Sequence, residues 1–293
     1  MATHREGISP KDFAAAIGVS ESSVKRWVDQ GLLRAIRTAG GHRRIAPDEA
    51  ARWIREHRVQ PVKPERIGFV AEPPDGADAL RAHVETFYEH LHAGRAEDAR
   101  SMTLRLFLAG HAIAAIADAL IAPALGRIGS LWQHGEEGVF LEHRATDIAV
   151  HVVKDLDGAS IDQRPRKKGP AALSLALEDD HYALPPMLCA ATLGEVGFRP
   201  TNLGPNTPIS VAELAVERLG ARLVCVSVSV VPPPRVVSET AALVQRLRGK
   251  GVRVAVGGRH VDTLGLLATS DGPFVGASMT ALATWARGFV GAS

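Results

Sequence analysis

The first 60 residues alternate short amphipathic segments with tight turns, which predicts a small helical domain. The pair Ser9-Pro10 is typical of a helix start, because a polar cap precedes a proline in the first turn. The helix KDFAAAIGV follows, and Ser20 can cap a second helix, SESSVKRWVDQ. Two extended pieces around Gly40-Gly41 then predict a β-hairpin with a basic tip. Together these elements form a winged helix-turn-helix.

From residue 77 onward the apolar positions recur at helical spacing. Leu80, Val84 and Phe87 are separated by four and then three residues, as on one face of a helix. Further segments of this type continue to residue 160, so we predict four antiparallel helices packed as a four-helix bundle. Residues 61–76 hold four prolines and few periodic apolar positions, and we predict that they form a linker.

Beyond a second basic, proline-containing stretch, near-continuous apolar runs alternate with helix-like segments. The runs AALSLALE, ARLVCVSVSV and VRVAVGG are typical of strands buried on both faces. Alternation of strands and helices predicts an α/β doubly wound parallel sheet. The chain is therefore predicted to be multidomain, with domains at 1–60, 77–160 and 168–293.

Composition narrows the class of protein. The chain has 293 residues, of which 46% are hydrophobic, enough for several packed domains. Its two cysteines, Cys189 and Cys225, are too few for a disulfide framework or a four-thiolate zinc site, and they lie in apolar runs. The N-terminus does not resemble a signal peptide, and no long uninterrupted apolar run is present. We expect a cytoplasmic protein with buried free thiols and no membrane span.

Charge is unevenly distributed along the chain. Residues 1–66 carry 13 Lys and Arg against 8 Asp and Glu, whereas the remainder is mildly acidic. A basic module on an acidic body favours a nucleic-acid-binding module, with a chance excess of charge on a solvated face as the alternative. The partner that we expect is double-stranded operator DNA. Arginine suits this role because its planar fork binds phosphate with two donors. The candidate DNA-binding residues lie on the second helix and on or beside the hairpin: Lys25, Arg26, Arg34, Arg37, His42, Arg43 and Arg44.

The hairpin sequence TAGGHRRI, with Trp27 upstream in VKRW, resembles the DNA-binding domain of MerR-type transcriptional regulators. The resemblance covers residues 7–58 and implies that the second helix enters the major groove while the hairpin contacts phosphates or the minor groove. A helical interaction module with no role in DNA binding is the alternative.

A second group of candidate residues follows the predicted strands. Asp179 and His181 come directly after the first strand, at the sheet edge where open α/β sheets bind ligands. A carboxylate at this spacing can accept the second ring N–H of a metal-bound imidazole, although a lone histidine here is more often structural. Two further pairs follow later strands, Ser227 with Ser229 and then Gly257 with Gly258.

This spacing resembles the motif of cobalamin-binding folds, in which Asp-x-His-x-x-Gly is followed by Ser-x-Leu and then Gly-Gly. The resemblance implies that the serine binds a buried nucleotide tail and that the diglycine lets the backbone approach the ligand. The chain departs from the motif where Leu184 replaces the glycine, ahead of Pro185-Pro186, and where Ser229 replaces the leucine. Another tetrapyrrole, or a pocket that no longer binds one, therefore stays open as an alternative.

The predicted bundle carries Trp132 and, after nine intervening residues, the pair Glu142-His143. From spacing alone, such a tryptophan belongs to a core or a lid and such a pair to a solvated surface. The segment also resembles the helical cap of cobalamin-binding modules, which implies that these side chains lie above the corrin ring.

The order of the three domains resembles the light-sensing cobalamin-dependent repressors of carotenoid synthesis. This resemblance implies that adenosylcobalamin binds in the dark, with His181 as the lower cobalt ligand. It implies that light removes the adenosyl group, that His143 becomes the upper ligand, and that a homo-oligomer (dimer or tetramer) dissociates and releases DNA. Trp132 and Glu142 would line the upper pocket. A corrinoid methyl-carrier protein is the alternative from another class, although its chemistry has no need for a DNA-binding domain.

Overall fold

The computed structural model describes residues 7–38, 40–57, 59, 76–161, 169–266, 272–276 and 278–290. The predicted linker, 61–76, lies outside these ranges except for its last residue. Three regions follow one another along the chain: a small helical unit with a hairpin, a set of antiparallel helices, and a parallel sheet covered by helices. The predicted fold class is confirmed, while the domain boundaries stay predictions.

The first region is a winged helix-turn-helix. Ser9 caps the first helix by accepting a hydrogen bond from the backbone N–H of Asp12, and Gly18 ends that helix with a φ of 74°. Ser20 caps the second helix in the same way, through the N–H of Ser23. The hairpin strands are antiparallel. The elements are α1 Pro10–Ile17, α2 Glu21–Asp29, β1 Ile36–Arg37, β2 Arg43–Arg44 and α3 Pro47–Glu56.

Aromatic packing holds this region together. Trp53 of α3 is buried between Phe13, whose ring meets it edge-on at 5.7 Å, and Trp27, which stacks on it at 4.5 Å. Aromatic pairs at these distances stabilise a core beyond the area that they bury. Trp27 therefore packs α2 against α3.

The second region is a helical bundle, and its apolar residues at spacings of three and four face one another as predicted. Phe87, Leu91, Phe107 and Leu120 are fully buried in it. The helices are α4 Gly76–Ala82, α5 Val84–His92, α6 Ala96–Leu108, α7 Ile113–Ile116, α8 Ala122–Gly129 and α9 Gly135–Ile161, with a π-turn at Ala117–Ile121 and a 3₁₀ turn at Ser130–His134.

One helical stretch of the bundle, Ile113–Trp132, is long and apolar enough to cross a membrane by length and composition. Half of that stretch is buried inside the protein, where Ile116, Leu120 and Ile128 are fully covered. This burial accounts for its apolar composition, since the central helix of a bundle contacts apolar neighbours on several sides.

The third region is a five-stranded parallel sheet with the order β4-β3-β5-β6-β7. Its central strands are almost wholly buried, as their continuous apolar sequences predicted. The strands are β3 Ala171–Leu177, β4 Arg199–Thr207, β5 Leu223–Ser227, β6 Arg253–Gly257 and β7 Phe274–Gly276. The helices are α10 Leu184–Val196, α11 Ile209–Leu219, α12 Pro234–Gly249 and α13 Met279–Arg287.

The two edge strands were not predicted from the sequence. β4 has the polar sequence RPTNLGPNT, and most of its side chains are exposed or half-buried. β7 has only three residues. Since an edge strand has one free side and need not be apolar, hydrophobic pattern alone does not reveal it.

Two carboxylates join the bundle to the sheet region. Asp118, in the π-turn, accepts hydrogen bonds of 2.8 Å from the backbone N–H groups of Met279 and Thr280 at the start of α13. In the opposite direction, Glu195 of α10 accepts a 2.8 Å hydrogen bond from the N–H of Ile113 at the start of α7. Each carboxylate satisfies helix-terminal N–H groups that have no partner inside their own helix.

Candidate functional site

A cavity of about 490 Å³ lies between the bundle and the carboxyl end of the sheet. One side, which we name the bundle wall, is formed by helical residues that include Asp118, Ile121, Leu125, Gly126, Trp132 and Glu142. The opposite side, the sheet wall, comes from loops after the strands and the start of α10, and it includes Tyr182, Leu184, Pro185, Ser229, Gly258 and Arg259. The cavity is at the edge of the sheet where open α/β folds bind ligands.

A smaller slot of about 90 Å³ opens beside the sheet wall and extends between the sheet and the helices α10 and α13. Pro185, Gly258 and Met279 line both the cavity and the slot, so the two spaces are neighbours. Cys189 and Ser227 line the slot alone. The arrangement offers a broad chamber with a narrow extension toward the sheet interior.

Several residues predicted from the sequence line these two spaces. Trp132, Glu142, Ser229 and Gly258 line the cavity, and Ser227, Gly257 and Gly258 line the slot. Leu184, which replaces the motif glycine, is buried against the main cavity and does not line the slot. Leu184 therefore narrows the main cavity and leaves the slot unaffected.

His143 does not line the cavity. Its Nδ1 atom is 2.9 Å from the carbonyl oxygen of Val139 and 3.0 Å from a carboxylate oxygen of Glu142, and its side chain is 68% exposed. Successive residues of a helix are separated by about 100° around the axis, so His143 faces away while Glu142 and Thr146 face the cavity. Its predicted role as an upper ligand stays a prediction, and it requires α9 to turn or shift.

The loop after β3 is built differently from its prediction. In the part of the chain that the structure describes, no hydrogen bond or ion pair joins Asp179 to His181; both residues are exposed, and His181 does not line the cavity. Asp179 has a φ of 68° and donates its backbone N–H to Asn206. The expected carboxylate–imidazole contact is not formed among the described residues, and it stays a prediction for a metal-bound histidine, as does the role of His181 as a cobalt ligand.

Asp180 is the carboxylate that organises this loop. It is buried, and it accepts hydrogen bonds from the N–H of Tyr182 at 3.1 Å and from the N–H of Ser229 at 2.6 Å. These bonds tie the loop after β3 to the loop after β5, and thereby fix two parts of the sheet wall relative to each other. The sequence prediction chose the neighbouring carboxylate, since both aspartates directly follow the strand.

Gly257 and Gly258 are required by the packing of the chain itself. A Cβ atom on Gly258 would lie 2.5 Å from the carbonyl oxygen of Val228, and the φ of 120° is a conformation that other residues rarely adopt. A Cβ atom on Gly257 would meet the carbonyl oxygen of Gly276 on the neighbouring strand. Both glycines also line the slot, and the expectation that they let the backbone approach a ligand closely stays a prediction.

The polar groups of the cavity differ in whether they have partners. On the bundle wall, Asp118 bonds to the start of α13, and Glu142 accepts a 2.9 Å hydrogen bond from the hydroxyl of Thr146. On the sheet wall, the hydroxyl oxygen of Ser229 is buried and has no partner among the described residues. A buried hydroxyl without a partner is rare and favours a bound group that would supply one. Tyr182 and Arg259 complete this wall, and the sequence analysis named neither.

The slot contains the two thiols of the chain, which are free and buried as predicted. The Sγ atom of Cys189 is 3.9 Å from the hydroxyl of Ser227 and 4.0 Å from the sulfur of Met279. A hydrogen bond from Cys225 lowers the pKa of the Cys189 thiol. The bond to Cys189, together with burial, raises the pKa of Cys225 well above its usual value. The slot is therefore lined by soft, weakly polar groups.

The helix-turn-helix presents a separate basic surface. A groove of about 490 Å³ lies between α1, α2 and the hairpin, and Lys25, Arg37 and His42 line it with Arg43 and Arg44. The side chains of Arg26 and Arg34 are exposed as well. The described structure thus exposes five of the seven predicted DNA-binding residues, whereas Arg43 and Arg44 are half-buried.

Two of these basic residues already have acidic partners. Lys25 pairs with Glu21 at 2.8 Å, one turn earlier in α2, and Arg43 pairs with Asp29 at 2.5 Å. The second pair holds the hairpin against the end of α2. Phosphate binding by Arg43 would have to compete with Asp29.

Comparisons with known proteins agree with both parts of this description. Residues 8–58 match the family model for a helix-turn-helix domain, and residues 84–154 match the model for a B12 binding domain. The chain thus combines an N-terminal helix-turn-helix with a cobalamin-binding type of module. No curated protein matches the sequence.

One solved structure of a corrinoid protein shares the fold, and two others are less similar. The monomethylamine corrinoid protein of Methanosarcina barkeri has a TM-score of 0.50 at 14% identity, over 70% of this chain and 97% of that one. A cobalamin-binding protein of Desulfitobacterium hafniense has a TM-score of 0.35 at 16% identity, over 72% and 98%. The methanol:cobalamin methyltransferase complex of M. barkeri has a TM-score of 0.36 at 16% identity, over 76% and 87%. The first similarity supports the arrangement of a bundle over a parallel sheet.

Proposed function

We propose that this protein is a transcriptional regulator whose DNA binding is gated by a corrinoid, with adenosylcobalamin as the form that it binds. The observation that carries the proposal is a ligand-sized cavity between a B12 binding type of bundle and the carboxyl end of a parallel sheet, on a chain that also carries a basic winged helix-turn-helix. The role is that of a binding protein in the cytoplasm, with no catalytic step assigned to it.

Double-stranded DNA is the partner that the N-terminal surface supports. Exposed cations lie along α2 and the hairpin, which is the pair of elements that winged helix-turn-helix proteins place against a duplex. Contacts of Arg34 or Arg37 with phosphate would fix the register, while α2 would read base edges in the major groove.

A corrinoid fits the chemistry of the cavity. The bundle wall offers apolar residues and Trp132, against which a flat macrocycle with its upper group can pack, and the sheet wall offers the unpartnered hydroxyl of Ser229. Ser227, Gly257 and Gly258 lie along the slot that would take the nucleotide tail. Among the described residues, no group of three or more His, Cys, Asp or Glu is placed to hold a metal ion. Cobalt would enter with the corrinoid, and His181 would approach it from the loop after β3.

Light is the signal in this proposal. Adenosylcobalamin, when bound, supplies a cobalt–carbon bond that light breaks. Trp132 would fill space beside the upper group in the dark, and Glu142 would line the same chamber. His143 would take the vacated side after illumination, which requires α9 to turn and so changes the surface that the bundle offers to a second copy of the chain.

The test is made on the full-length protein with adenosylcobalamin. Absorption spectra and size-exclusion chromatography are recorded in the dark and after green light, and duplexes selected from a random library measure DNA binding in both states. We expect a bound corrinoid, a larger species in the dark, and loss of DNA binding with dissociation after light. A wild-type protein that holds one size and one DNA affinity in dark and light, with corrinoid bound, would contradict the light-gated mechanism.

Variants separate the roles of the bundle residues. We expect Trp132→Ala to impair assembly in the dark, because the ring that covers the upper group is lost. We expect His143→Ala to load adenosylcobalamin and to photolyse, but to give a less stable product. The matched control is His151→Ala, two turns further along α9, whose side chain is also half-exposed and does not line the cavity.

The alternative of another class is a corrinoid methyl-carrier protein. It is favoured by the shared fold with the monomethylamine corrinoid protein of M. barkeri. A carrier has no need of a basic winged helix-turn-helix, so sequence-specific binding of duplex DNA decides between the two. A regulator of the same architecture that binds another tetrapyrrole, or none, predicts DNA binding that does not respond to cobalamin.

A further inference from the structure

Arg259 occupies a junction in the site. It directly follows the diglycine at the end of β6, and it lines the main cavity beside Gly258, a residue that the cavity and the slot share. A ligand with one part in the chamber and a tail in the slot would pass Gly258, which both spaces share. Arg259 follows Gly258 in the chain, and its side chain is exposed on the side of the chamber.

The guanidinium of Arg259 is not committed to another group. In the described part of the chain it makes no hydrogen bond or ion pair, and it is the one Lys or Arg side chain among the residues that line the cavity. The two carboxylates of the cavity are already engaged, Asp118 with the start of α13 and Glu142 with Thr146 and His143. Arg259 thus forms no ion pair with either of the two carboxylates that line the same cavity.

The sheet wall, in contrast to the bundle wall with its two carboxylates, offers hydrogen-bond donors to an anionic ligand group. Ser229, whose buried hydroxyl has no partner, lies on the same wall, held there by the bond between its N–H and Asp180. A hydroxyl and a guanidinium together suit a phosphate, since the planar fork of arginine donates two parallel hydrogen bonds to its oxygens. An apolar tail pocket next to a cation suits a phosphodiester that is followed by an aromatic base.

We propose that Arg259 binds the phosphodiester of the nucleotide loop of the corrinoid, and that it selects complete corrinoids over those that lack this loop. The inference rests on the proposed function, because it assumes that the cavity takes a corrinoid. It assigns a specificity-determining role to a residue outside the Asp-x-His, Ser-x-Ser and Gly-Gly positions.

The test compares three ligands on the full-length protein in the dark: adenosylcobalamin, adenosylcobinamide phosphate, which keeps a phosphate but lacks the base, and adenosylcobinamide, which lacks both. Binding is followed by titration of the visible spectrum. We expect Arg259→Gln to weaken the binding of the first two by about tenfold or more and to leave adenosylcobinamide within about twofold, as for loss of one charge-assisted contact. Arg259→Lys should recover part of the loss, since it keeps the charge without the fork.

Arg218→Gln is the matched control, because Arg218 is exposed on α11 and lines neither space. Equal weakening of all three ligands by Arg259→Gln, or no weakening, would overturn the assignment. Weakening with adenosylcobalamin alone would also overturn it, because the arginine would then contact the base or ribose. If the wild-type protein binds none of the three ligands, the proposed function itself fails.

Discussion

The two walls of the cavity are built by opposite means. The bundle wall is a helical surface whose glycines, such as Gly126, have open space around them, and its two carboxylates are satisfied within the protein. The sheet wall consists of loops held by backbone contacts, and it carries the unpartnered hydroxyl of Ser229 and the free guanidinium of Arg259. We infer that the two walls would bind different parts of a ligand. The sheet wall would bind its polar groups, and the bundle wall would cover its apolar face.

The largest expected effect is a difference in the free energy of unfolding between two glycine-to-alanine variants, one on each wall. Gly258→Ala should lower the free energy of unfolding by about 2–3 kcal/mol, because its Cβ would clash with the carbonyl of Val228 at an unfavourable φ. Gly126→Ala should be neutral or stabilise by up to about 1 kcal/mol, since it lies within α8 with nothing nearby. Urea unfolding followed by circular dichroism measures both. Equal costs for the two variants would mean that the walls do not differ in rigidity.

The next effect concerns the carboxylate that joins the walls. Asp118→Ala leaves the N–H groups of Met279 and Thr280 without their acceptor and should cost about 1–2 kcal/mol. It should also speed hydrogen exchange at the start of α13. Asp78→Ala is the control, because its exposed pair with Arg81 is expected to contribute within about 0.5 kcal/mol. If amide hydrogen exchange in α13 is unchanged in Asp118→Ala, Asp118 does not help to hold the bundle against the sheet region.

A smaller effect is expected in the slot behind the sheet wall. The pKa of Cys189 is lowered by its hydrogen bond from Cys225, whose own pKa is raised. Because the thiolate is the reactive form, a small maleimide should modify Cys189 before Cys225, and faster as the pH rises. Peptide mass spectrometry identifies the order. Bound adenosylcobalamin should slow the reaction, and modification at an unchanged rate would place the ligand outside the slot.

The smallest effect comes from a surface pair that supports the sheet region far from either wall. Hydrogen bonding to Arg246 lowers the pKa of Glu213 below its ordinary value of 4.5. A lowered folded-state pKa stabilises the protein above that ordinary value, and the gain is lost as the pH falls through the folded pKa. Glu213→Gln should therefore cost about 0.5 kcal/mol near pH 7 and progressively less as the pH falls through the folded pKa. Urea unfolding over a series of decreasing pH values measures this, and a cost that does not decrease in acid would indicate lost packing.

The sequence predicted the fold well because its core elements carry strong periodic signals. The buried strands β3, β5 and β6 and the bundle helices were all expected, whereas β4 and β7 have no such signal at the sheet edges. Of the site, motif spacing located Ser229 and Gly258, which follow strands directly. Their environment was not predictable in the same way, because partners such as Asp180 and the backbone of Val228 meet them only in the folded protein.

Arg259 shows the limit of motif spacing most directly. It lies next to the diglycine that the motif spacing identified. Its position in the sequence does not reveal that its side chain has no hydrogen-bond or ion-pair partner in the described part of the chain. That property depends on the absence of an acidic partner among the described residues, which only the assembled cavity displays. An arginine directly after a strand-end diglycine is a signal that can be sought in other sequences of this type.

The π-turn at Ala117–Ile121 has a consequence for how this chain can change through insertion and deletion. A π-turn holds one residue more than the α-helix that it interrupts. Removal of a single residue there would leave a regular helix with nearly the same apolar composition, so the bundle could still fold. The preceding face would then rotate by about 100° relative to α8, and Asp118 would no longer reach α13. A one-residue difference in length at this position would therefore mark relatives whose bundle and sheet are joined in another way.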